Sequence, residues 1–423
     1  MFRSYFKTAW RAVSRHRAYS LINVLGLTLG IASCLIIFLV VKNELGYDNF
    51  NRKADRTYRI TLNALDFNSN VSLAVAPAVR ADFPDLEQIT QVYFQQSGAV
   101  KVNQTRYNEK KFAFADQHLP AVFDYRWLAG DPTTALSAPN TVVLTESIAK
   151  KYFGKEDAIG QVINLNNEFD LKVTGIIKDL PGNTHLPFLF LVSLETIKKD
   201  LGSSLTNFWS IPGGSYVYIV IPENYSIHQL EKKIPAFIEK NWGKDIAKDA
   251  KLLLQPLRAI HFDQRYINNI ITPTSKQSYW ALAGVALFII ITACINFINL
   301  ATAQSIRRAK EVGVRKVLGA KRPQLIWQFL GETTVLVLLA LVLSILATSV
   351  FLPQAENWLD IKINVWQLGE PAVIVLMTAL TIVVIVLAGL YPAFVQSAFT
   401  PIVSMKSTKG VSLGKLTLRK SLV

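Results

Sequence analysis

Few of the chemistry-bearing residues in this 423-residue chain stand at spacings that could do chemistry. His118, His185, His228 and His261 lie far apart, with no pair at the H-E-x-x-H spacing that puts two imidazoles on one helical face for a metal. No G-x-S-x-G elbow presents a nucleophilic serine. Cys34 and Cys294 both sit in apolar runs, so the large polar region has no cysteine for a disulfide or a thiolate metal site. KGVSLGKLT (409–417) looks like a phosphate-cradling loop at first sight. Gly410 and Gly414 are one residue too close, Leu416 stands where a metal-binding hydroxyl is needed, and no apolar strand precedes it. These observations point to no catalytic residue, no metal site and no cofactor-binding residue on this chain. The sequons at Asn70, Asn103 and Asn224 matter only in a eukaryotic secretory pathway.

What stands out instead is charge. QSIRRAKEVGVRKVLGAKRP (304–323) carries Arg307, Arg308, Lys310, Arg315, Lys316, Lys321 and Arg322 against one acid, Glu311. Glu311 precedes Arg315 by four residues, a spacing that pairs side chains along a helix. Gly313 and Gly319 punctuate the block, and Pro323 suits the start of a following helix. A structured helix is expected here rather than a flexible loop.

The block lies between two of four apolar stretches, each long enough for the roughly 20 helical residues a bilayer needs. The expected transmembrane helices are 20–42, 279–301, 333–352 and 371–395. The first has too long an apolar run for a signal peptide and no cleavage pattern after it, so it reads as an uncleaved anchor. It contains Gly26-x-x-x-Gly30, a spacing that lets helix backbones approach closely, and these two glycines are the candidate helix-packing residues.

The formal net charge of +15 is distributed unevenly. Residues 43–275 hold 25 basic and 25 acidic side chains, so the entire excess lies outside them. That places the positive charge beside the apolar segments, where it speaks for topology and anionic lipid rather than nucleic acid. Segments 1–19, 303–323 and 396–423 are basic, and 353–370 is acidic. The positive-inside rule then gives cytoplasmic termini, a cytoplasmic 303–323 segment, and 43–275 and 353–370 on the other side. Residues 1–19 also read as an amphipathic helix lying on the cytoplasmic leaflet.

Residues 43–275 contain no spanning stretch and read as a mixed α/β domain. Expected strands are 58–65, 140–144 and 251–262, with a helix from Thr145 to Gly154. A hairpin over 160–179 is expected to turn at Asn166-Asn167. The fold class is therefore an α-helical membrane protein with four spans and a large α/β extracytoplasmic domain inserted between the first and second.

Four passages together resemble the FtsX-like permease family, in particular its MacB-like members: GLTLGIASC with ELGYDNFNRKADRTYRI (44–60), AKKYFGKEDAIGQVINLNNEFDLKVTGIIKDLPGNTH (149–185), RRAKEVGVRKVLGAKRPQLIWQFLGE (307–332) and AGLYPAF (388–394). The resemblance implies the membrane subunit of an ABC transporter in a bacterial inner membrane, working as a dimer. A separate cytoplasmic ATPase would bind the ATP and dock after the second span. Glu311, Gly313, Arg315, Lys316, Gly319 and Ala320 would form the coupling helix, and the domain 43–275 would be a periplasmic core that moves. A periplasmic adaptor or outer-membrane partner would complete an export machine for antimicrobial compounds or peptides, or a device for lipoprotein release. The ending TLRKSLV (417–423) resembles the opening of a second repeat, so the chain is expected to be one half of a two-repeat permease. The competing reading is a membrane-anchored sensor or regulator of a kinase or cell-wall hydrolase. No cytoplasmic segment is long enough for an output domain, which weighs against it.

Overall fold

The computed structural model describes residues 17–398 except 155, 246, 247, 360 and 362; the side chains of 305–308 and 310 are also outside the description. The expected interfacial helix, the P-loop-like stretch 409–417 and the tail towards a second repeat therefore lie outside the described residues. Two compact units result, one of helices and one comprising Glu44–Lys276.

The helical unit is built from α1 (Arg17–Leu45), α7 (Lys276–Val317), α8 (Arg322–Leu359) and α9 (Pro371–Ala398), numbered with the helices of the inserted unit below. Each contains a stretch long and apolar enough to cross a membrane. Two of these helices far exceed that need. A helix of 42 residues is about 63 Å long, against about 30 Å of hydrocarbon, so a third or more of α7 must lie beyond the bilayer core. The expected 303–323 loop is therefore largely helix. Only Leu318–Lys321 falls between α7 and α8, and α8 extends to Leu359, into the expected 353–370 loop. The physical reason is plain. The block has no proline before Pro323 and is rich in Arg and Lys, both good helix formers.

The four helices share one apolar core. Leu27, Ile31, Leu35 and Leu39 of α1 lie against Cys294 and Phe297 of α7, Val337 and Ala340 of α8, and Val384 and Ala388 of α9. Spacings of four residues along α1 give a continuous buried stripe. At one end of the unit Lys42 is ion-paired with Glu370, which immediately precedes α9.

The inserted unit carries α2 (Val75–Asp82), α3 (Leu119–Val122), α4 (Glu146–Phe153), α5 (Lys198–Leu201) and α6 (Ile227–Trp242) around a mixed sheet. Its strands are β1 (Thr57–Asn63), β2 (Phe67–Asn68), β3 (Gln88–Val102), β4 (Thr105–Ala115), β5 (Trp127–Gly130), β6 (Thr141–Thr145), β7 (Val162–Leu165), β8 (Phe169–Ile177), β9 (Phe190–Ser193), β10 (Ser215–Val220) and β11 (Lys251–Pro256). The order is β11-β1-β10-β3-β4-β9-β6-β8-β5, with β2 on β1 and β7 joining β3 to β8. The 15-residue β3 is the spine: its first half pairs with β10 and its far end with β7. All six side chains of β10 are buried because both faces are covered. Val217 and Ile219 enter one core with α2 and α6, while Tyr216, Tyr218 and Val220 enter another.

The expected hairpin turns where its asparagines stand: Asn166 and Asn167 have φ of 57° and 58°, and Glu168 N–H donates to the Leu165 carbonyl at 3.0 Å. The expected 251–262 strand is shorter, ending at Pro256 before a 3₁₀ turn over Leu257–Ala259. Proline has no N–H for the ladder, and this is the edge strand.

Candidate functional site

The elbow between α7 and α8 is a closed αα-corner, and its geometry follows from four residues. Gly319 has φ of 92°, the left-handed conformation that ends a helix. Gly319 N–H donates to the Lys316 carbonyl and Ala320 N–H to the Arg315 carbonyl, both at 3.0 Å. These are the two bonds of a Schellman motif. One residue later Lys321 stands immediately before α8 as its N-cap, and its N–H donates to Gln324 Oε1 at 2.9 Å, half of a capping box. Val312, 2% exposed, packs with Leu325, Phe329 and Ala393 under the turn.

The six predicted coupling residues are brought to this one corner, with different surroundings. Arg315 donates to Glu311 Oε1 at 2.6 Å and to Gln328 Oε1 at 2.8 Å, and Gln328 in turn donates to Glu332. Lys316 Nζ donates to the Ser397 carbonyl at 2.7 Å, placing a cation at the end of α9. Gly313 is buried, Ala320 is half-buried and Gly319 is exposed. Arg315 and Lys316 are thus occupied inside the unit, holding α8 and α9 to the end of α7.

The exposed face of the corner belongs to residues that charge counting passed over. Val314, Val317 and Leu318 are 43%, 66% and 82% exposed at the i, i+3, i+4 spacing of one helical face, and Trp327 on α8 is also exposed. A valine–valine–leucine triplet within a basic segment was the available signal.

Gly26 and Gly30 both face α7. A Cβ on Gly30 would come 3.0 Å from Ala293 Cβ, whereas one on Gly26 would meet only Asn296 Nδ2 at 3.6 Å. The close helix approach therefore centres on Gly30.

In the inserted unit two of the scattered histidines, His185 and His261, meet carboxylates far away in sequence. His185 Nδ1 lies 2.8 Å from Asp48 Oδ2, and His185 Nε2 lies 2.9 Å from the Tyr218 hydroxyl. Asp48 also accepts from the Thr184 hydroxyl at 3.0 Å, and its N–H donates to the Asn183 carbonyl at 2.9 Å. Carboxylate, imidazole and hydroxyl line up as in a nucleophile relay, yet all three are at most 1% exposed. No substrate reaches them, so the chain of bonds is a lock on the turn that follows α1. Burial raises the Tyr218 hydroxyl far above its ordinary pKa, which keeps it a proton donor. A second buried pair, His261 Nε2 and Glu44 Oε2 at 2.7 Å, lies under a stacked Tyr47 ring. Thr274 N–H donates to the His261 carbonyl at 2.8 Å. Both ends of the inserted unit are pinned in this way. No group of three or more metal-ligating side chains occurs among the described residues.

Four apolar helices with an α/β unit between the first and second define a membrane protein with an extracytoplasmic domain. Residues 20–237 match the MacB-like periplasmic core domain and residues 283–401 the FtsX-like permease C-terminal domain. The chain belongs to this family of ABC transporter permeases.

A pyoverdine export ATP-binding/permease protein of Pseudomonas syringae is 21% identical over 78% of this chain and 49% of its own length. The chain thus spans about half of that relative. An uncharacterized ABC transporter permease of Methanocaldococcus jannaschii is 21% identical over 94% of this chain and 96% of its own length. A domain of a putative permease from Porphyromonas gingivalis, solved by crystallography, is 21% identical with a TM-score of 0.43, covering 49% of this chain and 92% of that one.

Proposed function

We propose that this chain is the membrane subunit of an exporter powered by a separate cytoplasmic ATPase, with the α7–α8 corner as the ATPase dock. The observation that carries the reading is the exposed apolar face of Val314, Val317 and Leu318 on a rigid basic corner. A flexible loop would dissipate a push, whereas the Schellman turn and the Arg315 and Lys316 bonds make α7, α8 and the end of α9 move together. The apolar triplet supplies contact area and the basic residues supply attraction and register. Motion of α1 and α7 would pass into the inserted domain through Glu44–His261 and Asp48–His185. A second permease copy or repeat would complete the transporter, and a periplasmic adaptor would extend it. Export of a compound such as the pyoverdine for which that relative is named suits this reading.

The test is co-purification with the ATPase encoded beside the gene. Reversing Arg315 and Lys316 to Glu should abolish association, but those side chains also hold the corner together. Val317→Asp with Leu318→Asp is the cleaner pair, because these side chains point into open space. Loss of the complex in both pairs, with membrane insertion intact, supports the dock. Full ATPase binding by the Val317/Leu318 pair overturns it.

A further inference from the structure

β4, β3, β7 and β8 lie side by side in the inserted unit, and they carry a face that the reading above leaves unused. Their register settles which side chains share it. Arg106 stands opposite Lys101, Lys101 opposite Asn164, and Asn164 opposite Asp170. Lys110 opposite Ser97 and Lys172 opposite Val162 belong to the same face. The alternate residues Val100, Val102, Ile163, Leu165 and Leu171 fill the core on the other side. Residues 43–275 are neutral overall, with 25 basic and 25 acidic side chains. This face is not: it sets Lys101, Arg106, Lys110 and Lys172 against Asp170, all five exposed. The only other acid on these four strands, Glu109, is buried on the opposite face and paired with Lys151. Glu168 lies beyond them, in the turn between β7 and β8. None of the four cations is ion-paired among the described residues. Like charges directly opposite each other weaken a sheet, so the Lys101–Arg106 pair is a standing cost that a bound anion would relieve.

The same face holds a groove of about 660 Å³, its open mouth included, bordered by Lys101, Asn103, Val162, Asn164, Asn167 and Asp170. Asn103 and Asn167 are fixed in turns at φ of 53° and 58°. Asn164 Nδ2 donates to Asp170 Oδ1 at 2.8 Å, while its Oδ1 accepts no hydrogen bond. Three amides, which both donate and accept, suit hydroxyl groups, which do the same. The face spans only three strand spacings, about 14 Å, far short of the roughly 800 Å² that a stable protein partner covers. A slender ligand that combines acid groups with many hydroxyls meets both the cations and the amides. We propose that this face binds an anionic glycan, its acid groups at Lys101 and Arg106 and its hydroxyls among Asn103, Asn164 and Asn167. Lys110 and Lys172 extend the attraction along the sheet. The unit is extracytoplasmic, where envelope glycans are within reach. The α7–α8 corner plays no part in this, so the proposal stands or falls apart from the ATPase reading.

The experiment uses the full chain in phosphatidylcholine nanodiscs, whose lipid has no net charge, and reads binding by isothermal titration calorimetry. The probes are oligogalacturonate, neutral dextran and oligoglutamate of equal length. Oligogalacturonate should bind about tenfold more tightly than either of the others, and more weakly as salt is added. Lys101→Glu turns the like pair into a cross-strand ion pair with Arg106. It should leave the melting temperature unchanged or raised while oligogalacturonate affinity falls about tenfold, so lost binding cannot be lost folding. Asn164→Leu should bring oligogalacturonate down towards oligoglutamate. Lys232→Glu with Lys233→Glu changes exposed charge on α6, which packs against β10 and β11, and should leave binding intact. No binding of any probe, equal binding of dextran, or wild-type affinity in Lys101→Glu would each overturn the proposal. So would oligoglutamate binding as tightly as oligogalacturonate, which would indicate an acidic protein partner, or an equal loss in the α6 variant.

Discussion

His185 Nδ1 and Asp48 Oδ2 meet at 2.8 Å in a space that leaves each at most 1% exposed, 137 residues apart in sequence. The bond fixes Asp48, which has φ of 57°, against the loop that precedes β9. Asp48→Ala should destabilise the inserted domain by about 2–3 kcal/mol, because it strips the partner from a buried imidazole and from the Thr184 hydroxyl. Tyr218→Phe removes one bond at the far end and should cost about 1 kcal/mol. Urea unfolding followed by tryptophan fluorescence checks the order; a larger loss in the phenylalanine variant would contradict the lock.

Gly319→Ala tests the corner through backbone strain alone. Nothing lies within 4 Å of the added Cβ, so the cost arises from φ of 92°, about 1–2 kcal/mol. Insertion should be unchanged while ATPase co-purification falls several-fold.

The two helix-packing glycines should respond differently. Gly30→Val places branched carbons where Ala293 Cβ already stands at 3.0 Å, forcing α1 and α7 apart at about 1–3 kcal/mol. Gly26→Ala meets an ordinary contact at 3.6 Å and should be nearly neutral. Thermal unfolding in detergent distinguishes them; equal shifts would remove Gly30 from the interface.

Glu87 gives the inserted domain an acid-sensitive clamp. Hydrogen bonds from Lys53 and Arg56 hold its carboxyl below the usual carboxylate value. A depressed folded pKa contributes stability that is full above the unfolded value, about 4.3, and is lost as pH falls through the folded one. Glu87→Gln should therefore lower stability at neutral pH and flatten its decline between pH 5 and the acid limit. Denaturant midpoints across pH 3–7 measure this; an unchanged slope would exclude Glu87 as a contributor.

The four spans, the inserted α/β domain and the family were legible because each rests on a pattern local in sequence. A run of apolar residues suffices for a span, Asn166-Asn167 for a turn, and the order of four short passages for the resemblance. The extent of α7 was less legible. Bilayer thickness limits where apolar residues end but places no limit on a helix, which runs on until Gly319 stops it.

Sequence by itself determined that 303–323 is one of three basic segments and that Glu311, Arg315, Lys316 and Gly319 share it. Only the tertiary structure decided what each does there. Arg315 and Lys316 turn inward to Gln328 and Ser397, while Val314, Val317 and Leu318 face outward. The reason is that direction on a helix depends on which neighbours fill its other faces. Those neighbours, α8 and α9, arrive from residues up to 81 positions away. The same holds for Asp48, His185 and Tyr218, three ordinary residues until β10 and two loops bring their polar atoms within hydrogen-bond reach and exclude water from all of them.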